Sequence, residues 1–524
     1  MGLLESVLVS LGLLVSAVFL IFQHFYSYWS VRNVPHDPPQ LIYGNAKKLG
    51  KKLALAELTL KYYNKFKDQG PFFGMYIFVK PLAVITDLDL IKNIMIRDFN
   101  YFTDRGLYYN QRDDPISGHL FSLDGPEWRF MRTKLSPTFT SGKMKFMFPT
   151  ILKVGHELED TIAKMIEEDS VVEIRELLAR FTTDVIGTCA FGIECNSLKD
   201  PNAEFRRVGR NIFTKRRNGT MRQSLMGTFP NLARFLRMKV VRDENSKFLM
   251  NVVRETVKYR EENNVHRNDF MDLLIGIKDS NGSNTGLTLG QMAAQAFVFF
   301  AAGFETSSTT MAYALYELAQ NELIQDKLRQ EIKNVLEKHD GSFTYEAMME
   351  MTYLEQVING KRIKYLILNQ FMQLCMFLFS ETLRKYPPVP VLFRRAIKDY
   401  PVPGTKYILE KGRDKNTRVL IPCHAIHHDP EYYPDPDIFD PDRFSTEEIK
   451  KRHPFTFLPF GEGPRKCIGV RFGQMQVRIG LALLIRNFSF AVCDATEIPL
   501  IFRKTGLIPF PKNGIKLKIE KCNV

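Results

Sequence analysis

The stretch from Phe460 to Gly469 contains the residue with the most distinctive chemistry, a cysteine at the end of a short loop. Two glycines and a proline make this loop a tight turn. A helical pattern of apolar residues follows, so Cys467 is expected at a helix N-terminus. Free N–H groups and the helix dipole there favour a thiolate over a thiol, and Arg465 adds a positive charge. The loop therefore predicts a soft, charged metal ligand.

The same ten residues match the haem-binding signature of the cytochrome P-450 family, the haem-thiolate monooxygenases: Phe, two residues, Gly, one, Arg, one, Cys, one, Gly. The chain resembles this family, and the resemblance implies haem (iron protoporphyrin IX) with Cys467 as the axial iron ligand. Phe460, Gly461 and Arg465 are then expected to contact the cofactor. A buried apolar cysteine beside a glycine turn is the alternative, which three further motifs disfavour.

Trp128 and Arg132 are four residues apart in a helical pattern, so they share one helix face. An arginine and an indole N–H that point the same way can bind a carboxylate. By resemblance, both residues bind a haem propionate, and Arg394, beyond a proline-rich stretch, reaches the second propionate. For the pair alone, a surface arginine beside a core tryptophan remains the alternative.

Residues 295–310 predict a helix that is apolar all round and therefore buried, with four phenylalanines that make the adjoining pocket aromatic. A glycine, a carboxylate and hydroxyls inside such a helix cost stability. A kinked core helix is one explanation. By resemblance, the stretch is an oxygen-activation groove in which Gly303 lies beside the haem, Thr306 hydrogen-bonds the bound oxygen and Glu305 helps to relay protons.

Glu381 and Arg384 are three residues apart and can pair on a helix. An exposed pair is the alternative from the tetrapeptide alone. By resemblance, Arg443 joins them, and the shared carboxylate is expected to be structural, supporting the haem loop, because losing one partner leaves a charge unpaired. His427 and His428, in a turn-rich loop, are expected to be capping or surface residues rather than metal ligands.

Residues 360–380 break the family pattern. Residues 351–359 are expected to begin the helix that carries Glu381, and in the family they run directly into Glu-Thr-Leu-Arg. Here 21 residues intervene, and as a straight helix they would displace Glu381 by roughly 30 Å. The insert is expected to loop out, although it is too apolar for an exposed loop. We hypothesise that it is a translated, retained intron, since its ends permit splice-site codons.

The N-terminus predicts a membrane anchor over residues 1–25, because Ser6 to Phe22 is apolar and uncharged. A cleaved signal peptide is the alternative. Residues 26–45 are expected to form an interfacial aromatic belt and a stiff proline-rich linker, and residues 46–524 the haem-thiolate domain. Lysines and arginines after the anchor place that domain on the cytosolic side. The resemblance to microsomal members implies the endoplasmic reticulum membrane.

Composition limits the remaining possibilities. The net charge is +14, but the basic residues are spread along the chain, which makes nucleic acid the weakest candidate partner. Seven scattered cysteines, none in a CxxC pair, favour a reducing compartment over a disulfide framework. The predicted fold is mainly α with a smaller β region, resembling the cytochrome P-450 fold, with strands over Phe72–Val79 and Leu82–Thr86.

The resemblance implies a monooxygenase that inserts one oxygen atom from O2 into apolar substrates, either xenobiotics or endogenous lipophiles. Electrons are expected from NADPH through a membrane-bound cytochrome reductase, with cytochrome b5 as a further partner. Details of the linker and of residues 425–430 most resemble insect microsomal members that detoxify insecticides. A haem-binding form made inactive by the insert and a haem-thiolate isomerase are the alternatives.

Overall fold

Helices dominate the described chain, in agreement with the predicted fold class. The structure is a computed structural model that describes residues 2–215, 217–278, 286–350, 374–411 and 417–522. Its α-helices are α1 Leu3–Tyr26, α2 Tyr28–Val31, α3 Leu55–Phe66, α4 Leu88–Lys92, α5 Gly125–Leu135, α6 Ser141–Glu168, α7 Ile174–Ile186, α8 Glu204–Thr214, α9 Thr220–Thr228, α10 Pro230–Phe235, α11 Asp243–Asn263, α12 Phe270–Gly276, α13 Leu289–Ala319, α14 Glu322–Glu337, α15 Tyr345–Glu350, α16 Leu374–Lys385, α17 Cys423–His427, α18 Thr446–Lys451 and α19 Val470–Asn487.

The β region is small and lies mainly in two sheets. The strands are β1 Phe72–Ile77, β2 Lys80–Ile85, β3 Val171–Glu173, β4 Leu392–Arg395, β5 Tyr400–Pro401, β6 Ile408–Leu409, β7 Arg418–Ile421, β8 Phe488–Ala491 and β9 Lys516–Lys521. One sheet has the order β1-β2-β7-β4, in which β2 and β7 are parallel, and the other has the order β3-β9-β8. The two strands predicted around residue 80 are present as β1 and β2, with β2 already beginning at Lys80.

Helix α13 runs through the centre of the core. A capping box fixes its start, where the Thr288 hydroxyl accepts from the Gln291 N–H at 3.2 Å. From Met292 to Leu318 most of its side chains are buried, which confirms the predicted buried helix. Helices α7 and α19 pack against it. A helix that is apolar all round is stable only inside such a shell of neighbours.

Among the described residues, one helix is long and apolar enough to cross a membrane. It spans Leu4–Tyr26, with a mean hydropathy of 2.4 and no buried residues. The aromatic residues that follow were expected at the membrane interface, and this is wrong for Tyr28 and Trp29, which are only 2% and 1% exposed. The indole N–H of Trp29 donates to the Met75 carbonyl at 3.0 Å, so strand β1 buries them.

The proline-rich linker is docked rather than free. The carbonyl of Pro35 accepts a hydrogen bond from the Gly74 N–H at 2.8 Å in strand β1. A Cβ on Gly74 would lie only 2.5 Å from the Trp29 ring, so only glycine lets the ring lie flat on the strand. The segment 26–45 therefore packs on the domain that it was expected to connect to the anchor.

Helix α16 begins inside the segment that was expected to be an insert. Its first seven residues, 374–380, are continuous with Glu381, and Met376 to Phe379 are buried. The segment therefore does not loop out as a whole, because its last turn completes the helix that carries Glu381. Residues 360–373, and residues 351–359 that were expected to begin this helix, lie outside the described residues.

The predicted grouping of Glu381, Arg384 and Arg443 is present, with Glu381 and Arg384 fully buried and Arg443 partly exposed. Arg384 donates to both carboxylate oxygens of Glu381 at 2.7 Å, and the Arg443 Nε lies 3.6 Å from Oε1. Burial raises the pKa of Glu381, and the contact with Arg384 opposes this rise most strongly. Arg384 also donates to the His427 carbonyl at 3.0 Å. This hydrogen bond ties the ion pair, which lies within α16, to α17.

Removing the carboxylate of Glu381 should destabilise the chain strongly. Glu381→Ala leaves Arg384 buried without its anion, and such losses cost about 3–5 kcal/mol. Urea unfolding of the detergent-solubilised full chain measures this. Glu204 and Arg207 form a pair at the same i,i+3 spacing on an exposed surface, so Glu204→Ala is the matched control with little expected effect. Equal losses for the two variants would contradict the prediction.

Candidate active site

The loop before α19 folds tightly back on itself, as predicted. The Cys467 N–H donates to the Phe460 carbonyl at 3.0 Å, and the Lys466 N–H donates to the Gly463 carbonyl at 2.9 Å. Gly463 has φ +72°, and a Cβ there would lie 1.9 Å from the Met95 carbonyl oxygen. Only glycine therefore allows this loop to pack against the chain at residue 95.

Cys467 opens into an internal cavity, so its side chain has accessible surface although protein encloses it on every other side. Burial raises the pKa of the thiol, whereas the Gly469 N–H and then Arg132 oppose the rise. The expected stabilisation of the thiolate by N–H groups and nearby cations is present, but desolvation outweighs it in the absence of a metal. A metal cation at the sulfur would reverse this balance, since coordination deprotonates a thiol.

The cavity walls come from α5, α13, α16, β4 and the loop before α19. Apolar side chains make up most of them, and the lining includes every cofactor-contacting residue that the sequence predicted: Gly303, Phe460, Gly461, Arg465, Cys467, Trp128, Arg132 and Arg394. Residues that are separated by more than 300 positions in the chain therefore converge on one space. The fold places the predicted set together.

Four arginines line this cavity: Arg105, Arg132, Arg394 and Arg465. Lys466 adds a fifth cation, and no Asp or Glu stands among the described residues of the lining. Burial lowers the pKa of Arg394 to about 10 and of Arg465 to about 9. Such a concentration of buried positive charge calls for an anionic ligand.

Two of these guanidinium groups retain unused donors. The Nε of Arg394 and the Nη1 of Arg465 are buried without a hydrogen-bond partner in the described structure. Since buried donors are rarely left unsatisfied, these atoms point to acceptor oxygens on the ligand. A haem with two propionates supplies both the acceptors and the negative charge. The donor set and the Cys467 thiol together fit haem.

The other contacts of these arginines fix their positions. Arg465 lies over the Trp128 ring at 4.0 Å and donates from Nε to the Thr103 carbonyl at 2.9 Å. Arg394 donates to its neighbour's carbonyl, that of Phe393, at 2.8 Å. These bonds use backbone acceptors rather than carboxylates. Arg465 also lies 3.9 Å from Asp124, so the guanidinium charges are oriented but only partly neutralised.

Sequence reasoning missed Arg105. Its Nη1 donates to the Phe121 carbonyl at 2.9 Å, its guanidinium lies 4.2 Å from the Phe121 ring, and its Nη2 donates to the Arg465 carbonyl at 3.3 Å. Burial and the neighbouring arginines, first Arg394, lower its pKa well below the ordinary value. No motif surrounds it in the sequence, and only the folded chain brings it to the cavity.

Helix α13 separates its predicted polar residues onto two faces. Gly303 and Thr306 line the cavity, and the Thr306 hydroxyl donates to the Ala302 carbonyl at 2.7 Å. A Cβ on Gly303 would lie 2.5 Å from Ile186 Cδ1, so glycine lets α7 approach closely. Glu305 is 1% exposed and paired with Arg175 of α7. The structure does not bring Glu305 to the cavity beside Thr306.

The expected aromatic wall consists of different rings. Of the four phenylalanines in the predicted helix, Phe299 lines the cavity. It stacks on Phe270 at 3.8 Å and lies 5.2 Å from Phe139. Phe300 and Phe304 instead pack into the core beside α8. The wall is aromatic, but one of its rings comes from the predicted phenylalanines, and the others include Phe121, Phe139, Phe270 and Phe379.

His427 connects the Glu381 group to the cysteine loop. It is fully buried, which corrects the expectation of a surface or capping residue. Its Nε2 accepts from the Leu458 N–H at 2.9 Å, while its carbonyl accepts from Arg384. Burial lowers the pKa of its imidazole to about 3. The neutral ring therefore acts as a hydrogen-bond acceptor that holds the chain before Phe460.

Among the described residues, no group of three or more His, Cys, Asp or Glu side chains could hold a metal ion. A metal bound by Cys467 must then bring most of its own ligands. A haem would supply most of the iron ligands itself, and Cys467 would hold the iron.

Comparisons with known proteins agree with this geometry. The family model described as Cytochrome P450 matches residues 35–359 and 365–519. Cytochrome P450 6a9 of Drosophila melanogaster is 48% identical over 528 aligned residues, covering 99% of this chain and 100% of that protein. Cytochrome P450 6A1 of Musca domestica is 45% identical over 520 residues, covering 98% and 97%. The interruption of the family match falls within the segment 360–380.

Replacing Arg394 should weaken haem binding without unfolding the apoprotein. Arg394→Met removes a buried donor that is free for a propionate, and a charge-assisted hydrogen bond is worth about 1.5–3 kcal/mol. The rate of haem transfer to an acceptor apoprotein should rise by roughly tenfold or more, while apoprotein stability holds or improves as like-charge repulsion falls.

The neighbouring Arg395 provides the matched control for this substitution. Its guanidinium pairs with Asp104 at 2.7 Å and Asp124 at 3.2 Å, away from the cavity. Arg395→Met should lower stability because it leaves two carboxylates without their cation. Unchanged haem transfer in Arg394→Met would contradict the assignment of its free donor to the cofactor.

The buried His427 should make the fold sensitive to acid. Its folded pKa of about 3 lies below the unfolded value of about 6.5. The stability that the neutral imidazole contributes is therefore fully present above about pH 6.5. It is lost as the pH falls toward 3, by up to about 1.4 kcal/mol per pH unit. His427→Gln keeps an acceptor near Nε2 but cannot protonate, so its stability should fall less with acid.

Urea unfolding at about pH 7.5 and pH 5.5 tests this pH dependence, because the two values lie on either side of the pKa of an unfolded histidine. His427→Phe is the comparison variant, because it removes the acceptor as well as the titration. That variant should be less stable at both pH values and should also show the shallower pH dependence. An unchanged pH dependence in His427→Gln would contradict the role of the imidazole.

Proposed function

Because the chain belongs to the cytochrome P450 family, whose cofactor is haem iron, we propose that it is a haem-thiolate monooxygenase that inserts one oxygen atom of O2 into apolar substrates. The observation that carries this proposal is the position of Cys467 in a cavity that also holds four arginines and Thr306. When bound there, a thiolate-ligated haem supplies activation of O2 and transfer of an oxygen atom.

The two propionates would be held by four arginines and one tryptophan: Arg105, Arg132, Arg394, Arg465 and Trp128. Their side chains meet the cavity from β4, α5 and two loops, so they fix the orientation of the macrocycle as well as its affinity. Cys467 would hold the iron from the opposite end of the loop that begins at Phe460. The loop has little freedom because Gly463 packs directly on the Met95 carbonyl, which positions the sulfur before the cofactor arrives.

The Thr306 hydroxyl would deliver protons at the side of the cavity where the reaction takes place. This hydroxyl donates to a carbonyl of its own helix, and rotation about χ1 turns the same proton toward the cavity. Ser307 and Thr310 line the cavity on the same stretch, and the Thr310 hydroxyl donates to the Thr306 carbonyl at 2.8 Å. This group of hydroxyls supports proton delivery at Thr306. Glu305 would contribute to proton delivery only from a distance, since Arg175 holds its carboxylate on the side of α13 that faces away from the cavity.

The substrates would be lipophilic. Val298 and Phe299 line the cavity from α13, and Leu120 and Phe121 line it from the loop before α5. Such a wall excludes water and favours apolar ligands. The substrate classes in this proposal are xenobiotics, including insecticides, and endogenous lipophiles.

Electrons would come from NADPH through a membrane-bound cytochrome reductase, with cytochrome b5 as a second partner. Exposed cations lie on the elements that carry cavity residues: Arg129 and Lys134 on α5, and Arg471 at the start of α19. These charges would complement an acidic partner surface. Helix α1 would anchor the chain in the endoplasmic reticulum membrane, with the catalytic domain on the cytosolic face, where the reductase would meet it.

The paired Glu381 and Arg384 favour an active enzyme over a haem-binding but inactive isoform, because the support of the cysteine loop is complete in the chain that includes residues 374–380. A haem-thiolate isomerase would need no reductase. Dependence of product formation on NADPH and reductase therefore separates a monooxygenase from an isomerase.

The experiment uses the full chain in lipid vesicles with a cytochrome reductase. The reduced protein should show the carbon monoxide difference band of a thiolate-ligated haem, and it should oxidise lipophilic probes only with NADPH. Cys467→Ala should abolish the thiolate band. Cys189 also lines the cavity, so Cys189→Ala is the matched control and should retain it. A thiolate band in Cys467→Ala, or turnover without reductant, would overturn the proposal.

Thr306 and Glu305 should respond differently to substitution. Thr306→Ala removes the cavity-facing hydroxyl, so the NADPH consumed per product should rise by about tenfold or more with stability retained. Glu305→Gln removes the anion beside Arg175 and should cost about 3 kcal/mol of stability, with a much smaller effect on the NADPH-to-product ratio. Urea midpoints and NADPH-to-product ratios measure both effects. A large rise in this ratio for Glu305→Gln alone would contradict the separation of the two faces.

A further inference from the structure

Gln295 is the polar residue in an apolar run of α13, from Met292 to Ala302. Its side chain is fully buried, and a buried amide costs stability unless its hydrogen bonds are made. Its Oε1 accepts from the Leu120 N–H at 2.9 Å, and its Nε2 donates more weakly to the Gly118 carbonyl at 3.5 Å and the Gln291 carbonyl at 3.4 Å. The amide therefore mainly holds the backbone at Leu120.

The segment that Gln295 holds is fixed at both ends by the guanidinium group of Arg465. The Arg465 Nε donates to the Thr103 carbonyl at 2.9 Å, and its Nη2 donates to the Leu123 carbonyl at 2.8 Å. Gln295 meets the segment between these two points, at Leu120, which is 7% exposed. Because a buried backbone N–H is rarely left unsatisfied, the amide fixes the segment near Leu120.

This contact lies next to the wall of the cavity. Leu120 and Phe121 line the cavity from the loop before α5, while Val298 and Phe299 line it from α13. Val298 and Phe299 follow Gln295 by three and four residues, so the three side chains lie on the same side of α13. The amide therefore joins two parts of the wall and sets the distance between them.

We propose that Gln295 is a positioning residue that sets ligand selectivity, because its amide fixes how far Leu120 and Phe121 extend into the cavity. The inference rests on the proposed function, in which lipophilic ligands bind beside a haem. Loss of the amide leaves the Leu120 N–H without its acceptor, so the loop moves toward another one. The cavity then accepts ligands of different shapes, although its lining residues are the same.

The direct test replaces Gln295 with methionine, an apolar residue of similar length, in the full haem-loaded chain. The relative dissociation constants of phenyl- and alkyl-substituted imidazoles, read from haem difference spectra, should change by about threefold or more. The thiolate carbon monoxide band should persist, because Arg465 still holds both ends of the segment. Unchanged relative constants in Gln295→Met would overturn the proposal.

Gln325 on α14 provides the matched control. It is 2% exposed, and its amide accepts from the Phe490 N–H and donates to the Phe490 carbonyl, both at 2.9 Å. Neither residue belongs to the described lining of the cavity. Gln325→Met should lower the urea midpoint at least as much as Gln295→Met and leave the relative constants unchanged. An equal change in these constants for both variants would reflect general destabilisation and overturn the proposal.

A conservative variant tests the acceptor itself. In Gln295→Glu, burial favours the neutral carboxyl, which can accept from the Leu120 N–H and donate toward Gly118 as the amide does. Its relative constants should lie nearer to those of the unsubstituted chain than to those of Gln295→Met. A Glu variant that matches the Met variant in selectivity would overturn the role of the acceptor.

Hydrogen exchange in peptides that contain Leu120 tests the contact without relying on the haem spectrum. In Gln295→Met the Leu120 amide should exchange faster by about tenfold or more, because its acceptor is gone, whereas Gln325→Met should leave its rate unchanged. Unaltered protection in Gln295→Met would overturn the inference. Absence of the thiolate band from the unsubstituted chain would overturn the proposed function and the selectivity claim with it, whereas the exchange rate would still decide whether Gln295 holds the loop.

Discussion

The buried carboxylate of Glu381 constrains the whole site. It cannot remain charged in the interior without Arg384, and Arg384 cannot remain there without Glu381. The donors that Arg384 has left go to carbonyls at His427 and Pro436, and His427 in turn holds the Leu458 N–H. A continuous series of hydrogen bonds therefore runs from α16 to the loop that presents Cys467. The position of the thiol depends on a helix more than 80 residues earlier in the chain.

A second electrostatic constraint surrounds the first. The cavity concentrates guanidinium groups that the protein orients mainly with backbone carbonyls. Asp124 lies 3.2 Å from Arg395 and 3.9 Å from Arg465, and Asp104 pairs with Arg395. No carboxylate stands among the described residues that line the cavity, so its cations are only partly neutralised. An anionic macrocycle would relieve the repulsion, and its metal would stabilise a Cys467 thiolate that burial opposes. The cofactor would thus complete the electrostatics of the cavity.

Local patterns picked out residues that the fold brings to one cavity, because each motif is a short run whose spacing defines one helix face or one turn. Trp128 with Arg132, and Phe460 to Gly469, are of this kind. Arg105 could not be found in this way, since its role depends on Arg465 lying beside it, 360 residues away. Tyr28 and Trp29 were misplaced for a related reason: aromatic residues after an apolar helix suit an interface equally well until strand β1 offers a closer surface.

Glu305 illustrates what a motif cannot specify. Consecutive residues on an α-helix point about 100° apart, so Glu305 and Thr306 need not meet the same neighbours, and the packing around α13 decides which of them meets the cavity. Gly303 lets Ile186 of α7 approach, and the same helix supplies Arg175 to the carboxylate. The packing that exposes Thr306 to the cavity therefore binds Glu305 elsewhere. Protons that reach Thr306 must pass through groups on its own face, where Ser307 and Thr310 lie, or through water in the cavity.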